Sequence, residues 1–160
     1  MAVAGHAAAT GAAHLPTGAS AARQWRGMDS GTDIGTHPIH IGLGAKASVE
    51  PRFTGDLGWY EGYVARHASD GAEGRLVGMH TFTEPWTMWE MHPLGCEVVL
   101  CVEGSMTLHQ QAGDGPVHSV LLHAGQYAIN APGVWHTADV SGKATALFIT
   151  AGLGTEHRPR

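Results

Sequence analysis

A chain of 160 residues with 43% hydrophobic side chains holds one domain, since about 110 to 120 residues suffice for a compact core. Its 14 Asp and Glu against 9 Lys and Arg leave a formal net charge of -5 with no basic run, which argues against nucleic acid as the main partner. No stretch approaches the roughly 18 to 20 apolar residues that a membrane-spanning helix requires.

In chain order, residues 1–25 are rich in Ala and Gly and too small-sided to pack a core, so they read as a mobile arm. The stretch has some of the composition of a secretory leader. However, no Lys or Arg precedes Arg23, and Gly5, His6 and Gly11 interrupt the apolar run, so the expectation is a cytoplasmic protein. Residues 26–57 form an extension punctuated by Gly, Pro and Thr. Within it, 37–43 (HPIHIGL) reads as a strand that pairs along a sheet edge or exchanges with a second subunit.

From Gly58 the chain becomes a series of short strand-like runs: 59–65, 75–82, 87–91, 97–103, 105–110, 118–122, 126–130, 133–138 and 145–151. Asp70-Gly71, Glu103-Gly104, Gly113-Asp114-Gly115-Pro116, Pro132-Gly133 and Ser141-Gly142 mark reversals between them. There is no internal repeat and no convincing amphipathic helix longer than about ten residues. Evenly spaced short strands predict a single sandwich or barrel over 58–152, with 153–160 as a tail.

The residues that carry chemistry cluster in 85–104, PWTMWEMHPLGCEVVLCVEG. Glu90 and His92 lie two apart and face one side of a strand. Glu97 follows the Pro93-Leu94-Gly95 turn on the next strand, about 5 Å away in an antiparallel pair, so the three side chains can converge. Imidazole nitrogen and carboxylate oxygen suit Zn, Mn, Fe, Co or Ni. His136, just after Pro132-Gly133, is the candidate fourth ligand; taken alone it reads equally as a satisfied core histidine.

Glu97 shares an inward face with Val99 and Cys101, where a lone carboxylate is costly to bury and a metal or a structural ion pair removes the cost. Glu90 can bind metal, act as a general base beside it, or form a rim salt bridge. Trp86 and Met88 share its strand face and are candidates to line the mouth of a substrate pocket. His80 and His109 lie on strands and can reach pocket or solvent, whereas His6, His14 and His157 read as solvated terminal histidines. Cys96 and Cys101, five apart on one extended segment, point to opposite faces and do not pair.

The spacing resembles the cupin superfamily over roughly residues 75–152. His92, four residues, Glu97, six residues and Gly104 match the second half of that family's first motif, and Gly125, Gly133 and His136 match its second in position. Glu90 stands where the family has its first His, Glu84 replaces the leading Gly, Ala131 the Pro and Val140 the final Asn.

The resemblance implies an all-β, jelly-roll-like cupin barrel holding one divalent metal ion (Fe, Mn, Ni or Zn) on Glu90, His92, Glu97 and His136. Four protein ligands leave one or two open positions on such an ion. It further implies a homodimer acting on a small-molecule substrate with chelating oxygens. A dioxygenase is favoured over an isomerase or lyase, and a non-catalytic binding module is the alternative of another class.

Overall fold

The computed structural model describes residues 31–160; the arm expected over 1–25 lies outside the described residues. The described chain forms β1 (Ile39–Gly42), β2 (Lys46–Val49), helix α1 (Leu57–Arg66), a 3-10 segment (Ala68–Glu73) and β3 (Arg75–Phe82). It continues through β4 (Met88–Met91), β5 (Glu97–Ala112), β6 (His118–His123), β7 (Tyr127–Asn130), β8 (Val134–Thr150) and β9 (Glu156–Pro159). Every pairing is antiparallel. The all-β class expected from the sequence is therefore present. The ladder runs β2-β1-β3-β8-β4-β9, with β5 joining β6, β7 and β8, and it does not close on itself.

Two long strands organise the sheet. β5 and β8 run 16 and 17 residues, each spanning what the sequence pattern divides into two strands. Glu103-Gly104 and Ser141-Gly142 are bends rather than reversals. Gly104 and Gly142 adopt φ of 76° and 92°, and the β5–β8 register shifts between Cys101 and Glu103 and again between Gly104 and Met106. A bulge with a positive-φ glycine turns a strand without ending its ladder. The first half of β5 thus pairs with the last part of β8, Glu97 opposite Thr150, and its second half pairs with the start of β8, Gln110 opposite His136.

The core lies along these two strands, through Val99, Cys101, Met106, Leu108, Ala138, Val140, Ala144, Ala146 and Phe148, joined by Leu122 from β6. Burial alternates along 97–101, which places Glu97 on the same inward face as Val99 and Cys101. Both cysteines are free, Cys101 buried and Cys96 exposed.

The expected strand over 59–65 is instead helix α1. Asp56 caps it, accepting a hydrogen bond from the Trp59 backbone N–H at 2.9 Å. Trp59 and Tyr63, one helical turn apart, are its buried residues and stack at 5.9 Å. Aromatic residues favour strands intrinsically, and here the cap and the four-residue spacing prevail over that preference.

The expected strand over 37–43 is present as β1, which pairs with β3 through Ile39 opposite Val77 and carries β2 on its outer side. The stretch 153–160 does not trail away. It supplies β9, which covers the edge of β4 that faces away from β8.

Candidate metal centre

β4 lies between β8 and β9, so Glu90 stands opposite His136 on one side and His157 on the other. Residues opposite one another on neighbouring strands share a sheet face, which brings these three groups together. His92 follows the end of β4 and keeps its alternation. Glu90, His92 and His136 each offer a ligand atom, and these atoms all lie within 4.8 Å of one another. The Glu97 carboxylate touches both imidazoles, at 3.3 Å from His92 Nε2 and 2.9 Å from His136 Nε2. His92, Glu97 and His136 are buried and Glu90 is half-buried. The four residues singled out by spacing thus meet in one place.

The hydrogen bonds around this group fix how each side chain presents itself. His136 Nδ1 donates to the Val134 carbonyl at 3.1 Å. The Thr155 hydroxyl donates to the Gly152 carbonyl at 2.9 Å, so it accepts from His92 Nδ1 at 2.8 Å. With both Nδ1 protons so placed, each ring turns an Nε2 lone pair inward. Both Nε2 atoms are buried and neither makes an aligned hydrogen bond, although the Glu97 carboxylate lies 2.9 Å from His136 Nε2, so only a proton or a cation between these groups relieves the facing lone pairs. An unsatisfied buried polar atom costs about 1–3 kcal/mol, and a cation between the rings would satisfy both at once. The donor set therefore fits a divalent ion.

Glu97 is held from behind: Thr150 Oγ1 donates to Oε1 at 2.7 Å and Asn130 Nδ2 donates to Oε2 at 3.1 Å. Asn130 is oriented in turn by Gln110, whose Nε2 donates to its Oδ1 at 2.6 Å. Burial would raise the Glu97 carboxyl, but its contacts with the His136 and His92 imidazoles outweigh burial and hold it well below the usual carboxylate range. Glu90 shifts the opposite way. Burial raises it first and the neighbouring Glu97 charge adds to this, with partial relief from His92, His136 and His157. Two nearby carboxylates whose environments push them apart are suited to different tasks.

Glu90, His92 and Glu97 line a cavity of about 1010 Å³ that also takes in Phe53, Tyr60, His80, Phe82, Trp86 and Phe148. Trp86 lines it, as the strand parity suggests. Met88 is more exposed and lines an adjoining recess of about 450 Å³, shared with Trp86, Glu90 and His157. His80 lies in the cavity wall, whereas His109 bonds Ser119 and Asp139. His157, read from the sequence as a solvated terminal histidine, sits on β9 with its Nε2 3.4 Å from Glu90 Oε1. The pattern gives no warning of this because β9 follows the last clear strand run. Asn130, Thr150 and Thr155 are also absent from the sequence reading, although Asn130 closes the predicted strand 126–130 at an inward position, a signal that was available.

A second group, His40, His67 and Asp70, also brings ligand atoms close together. It is a hydrogen-bonded clamp rather than an ion site. The two imidazoles stack at 3.5 Å and 13°, so their in-plane lone pairs run parallel and do not converge. His40 bonds Tyr63 and Asp70, each at 2.8 Å, and His67 bonds Glu50 at 2.6 Å.

No protein-family model matches the chain, and no curated protein matches it significantly. Solved structures with partial likeness include a cupin-2 domain containing protein from Shewanella frigidimarina, 21% identical, covering 54% of this chain and 71% of that one at a TM-score of 0.38. A recombinant oxalate oxidase in complex with glycolate is 16% identical, covering 58% of this chain and 50% of that one at 0.48. Hydroquinone 1,2-dioxygenase from Sphingomonas sp. TTNP3 with 4-hydroxybenzoate bound is 15% identical, covering 48% of this chain and 59% of that one at 0.42. The chain thus spans only about half to three fifths of the two enzyme chains. At these identities and TM-scores, the strand order and register define the fold.

Proposed function

We propose that this chain is a metal-dependent enzyme of the cupin type, with one divalent ion held by Glu90, His92 and His136 and with Glu97 in or against the coordination sphere. The observation that carries the reading is the pair of buried Nε2 atoms on His92 and His136, neither in an aligned hydrogen bond, turned inward by their Nδ1 hydrogen bonds beside two carboxylates. A set of two histidines and one carboxylate with open positions is the donor arrangement of non-haem Fe(II) oxygenases. This favours a dioxygenase that cleaves a carbon–carbon bond in a small organic substrate bearing chelating oxygens, with both oxygen atoms entering the product. Bound here, the ion supplies Lewis acidity and, if it is iron, electrons for reaction with dioxygen.

The protein's own residues do the rest. Glu90, raised by burial and paired with His157, is placed to accept a proton from a substrate hydroxyl when it leaves the ion. Trp86 packs edge-on to His136, with ring centroids 6.4 Å apart, and shields that side of the site from water. Thr150 and Asn130 hold Glu97 in place. The Glu90–His157 pair also suits proton transfer without oxygen, the chemistry of an isomerase or lyase, and this is the second reading.

Oxygen consumption separates the two. Anaerobically loaded ferrous protein, offered catechols and β-diketones in an oxygen electrode, is expected to consume one O2 per substrate converted, with the activity abolished in His136→Ala. Conversion without oxygen uptake would overturn the dioxygenase reading in favour of the isomerase or lyase. Saturable binding without conversion would leave a ligand-binding module.

A further inference from the structure

The chemistry of the cavity wall says what kind of molecule the site takes. Six aromatic residues form a continuous surface across it. Phe53 meets Tyr60 at 5.7 Å and His80 at 4.8 Å, His80 meets Phe148 at 5.8 Å, and Phe148 meets Phe82 at 6.0 Å and Trp86 at 5.8 Å. Trp86 then meets His136, so the surface leads from helix α1 to the metal centre. Leu57, Val64 and Leu76 extend its apolar character.

The charges are one-sided. Among the described residues, the cavity is lined by three carboxylates, Glu61, Glu90 and Glu97, and by no Lys or Arg. Away from the proposed ion, a carboxylate substrate would leave water for a low-dielectric space with no Lys or Arg to receive it, and it would meet these acids as it entered. Buried carboxylates are ordinarily met by arginine or lysine forks, and no such fork lines this wall. The volume of about 1010 Å³ lies at the upper end for drug-sized ligands, far more than a two-carbon acid fills.

We infer that the site selects an uncharged, ring-sized substrate, a planar aromatic or comparable apolar body with one neutral hydroxyl or carbonyl group directed at His92 and Glu90, and that it discriminates against carboxylic acids. The inference rests on the placement of the site proposed above, but not on the ion, because the aromatic wall and the absence of cations belong to the chain itself.

The test uses two probes of one shape, naphthol and naphthoate, with oxalate as the small diacid. Binding is measured by titration calorimetry on the full chain, first loaded with zinc and then stripped by a chelator. Naphthol is expected to bind at least tenfold more tightly than naphthoate with zinc present, and to retain measurable binding without it. Phe148→Ala is expected to weaken naphthol binding several-fold. As that residue is buried, Glu61→Lys at the exposed helix surface provides a variant with little risk to folding. Reversing this charge is expected to narrow the naphthol preference by at least threefold.

Naphthoate or oxalate binding as tightly as naphthol in the zinc-loaded protein would overturn the inference while leaving the metal site standing. Naphthol binding with the same preference in a protein that takes up no zinc would sustain the inference and remove the metal reading. No naphthol binding in either form overturns it.

Discussion

Replacing His136 with alanine is expected to weaken divalent metal binding by at least about 100-fold, since loss even of an outer-shell partner of a ligand costs roughly 10- to 100-fold. His136 is fully buried between Glu90 and Glu97, and its Nε2 lies 2.9 Å from the Glu97 carboxylate without an aligned hydrogen bond, where a cation would bind both. The variant should still fold, because Glu97 keeps the hydrogen bonds from Thr150 and Asn130. Thr155→Val provides the graded counterpart. It removes no ligand, but it frees the His92 ring to adopt the other tautomer, for which roughly a tenfold loss is expected. Competition against a chromogenic chelator reads both. His109→Ala, which alters a histidine bonded to Ser119 and Asp139, should leave affinity unchanged. Equal affinity in wild type and His136→Ala would mean that the ion binds elsewhere.

The second large effect concerns the bend in β5. Gly104→Ala is expected to destabilise the protein by about 3 kcal/mol, combining roughly 1–2 kcal/mol for a left-handed backbone with roughly 1–3 kcal/mol for overpacking. At φ 76° a Cβ would lie 2.1 Å from the Lys143 carbonyl oxygen and 3.2 Å from Ala144 Cα, and backbone atoms cannot swing aside as a flexible side chain would. Gly133→Ala isolates the conformational part. Gly133 has the same φ of 76° but open space around the added carbon, so about 1 kcal/mol is expected there. Urea denaturation of the two variants compares them directly. A Gly104→Ala cost no larger than that of Gly133→Ala would mean that β5 and β8 do not approach closely at the bend. Because this bend sets both halves of the β5–β8 register, it fixes Glu97 opposite Thr150 and keeps His136 in reach of the site.

These two positions also mark how far the sequence could be read. The grouping of the candidate ligands was legible because it is local. Glu90 and His92 differ by two residues, Glu97 follows one short turn, and His136 sits at a recognisable distance from Gly133. The residues that hold those side chains in place were not legible. Asn130 reaches Glu97 across 33 residues, Thr150 across 53, and Thr155 reaches His92 across 63. Contacts of that separation depend on which strands pair and in what register, and a local hydrophobic pattern does not specify either.

The same limit explains the long strands. Glu103-Gly104 and Ser141-Gly142 carry turn chemistry that serves a sharp reversal and a bulged bend equally well, and only pairing partners on both sides distinguish the two. Helix α1 is a different case, for its signal was present in the chain. Asp56 stands three residues before Trp59, and Trp59 and Tyr63 are four apart, yet the aromatic content of the segment suggested a strand. His157 escaped because a short terminal segment shows no periodicity of its own, and β4 had to be in place before β9 could be seen to pair with it.

The most direct test of the whole account is the metal content of protein purified without an affinity tag, measured by elemental mass spectrometry for wild type and for His92→Ala. About one equivalent of a divalent transition metal per wild-type chain, lost in the variant, is the predicted result. Wild-type protein that holds no metal, even after Fe, Mn, Ni and Zn are added back, would contradict it.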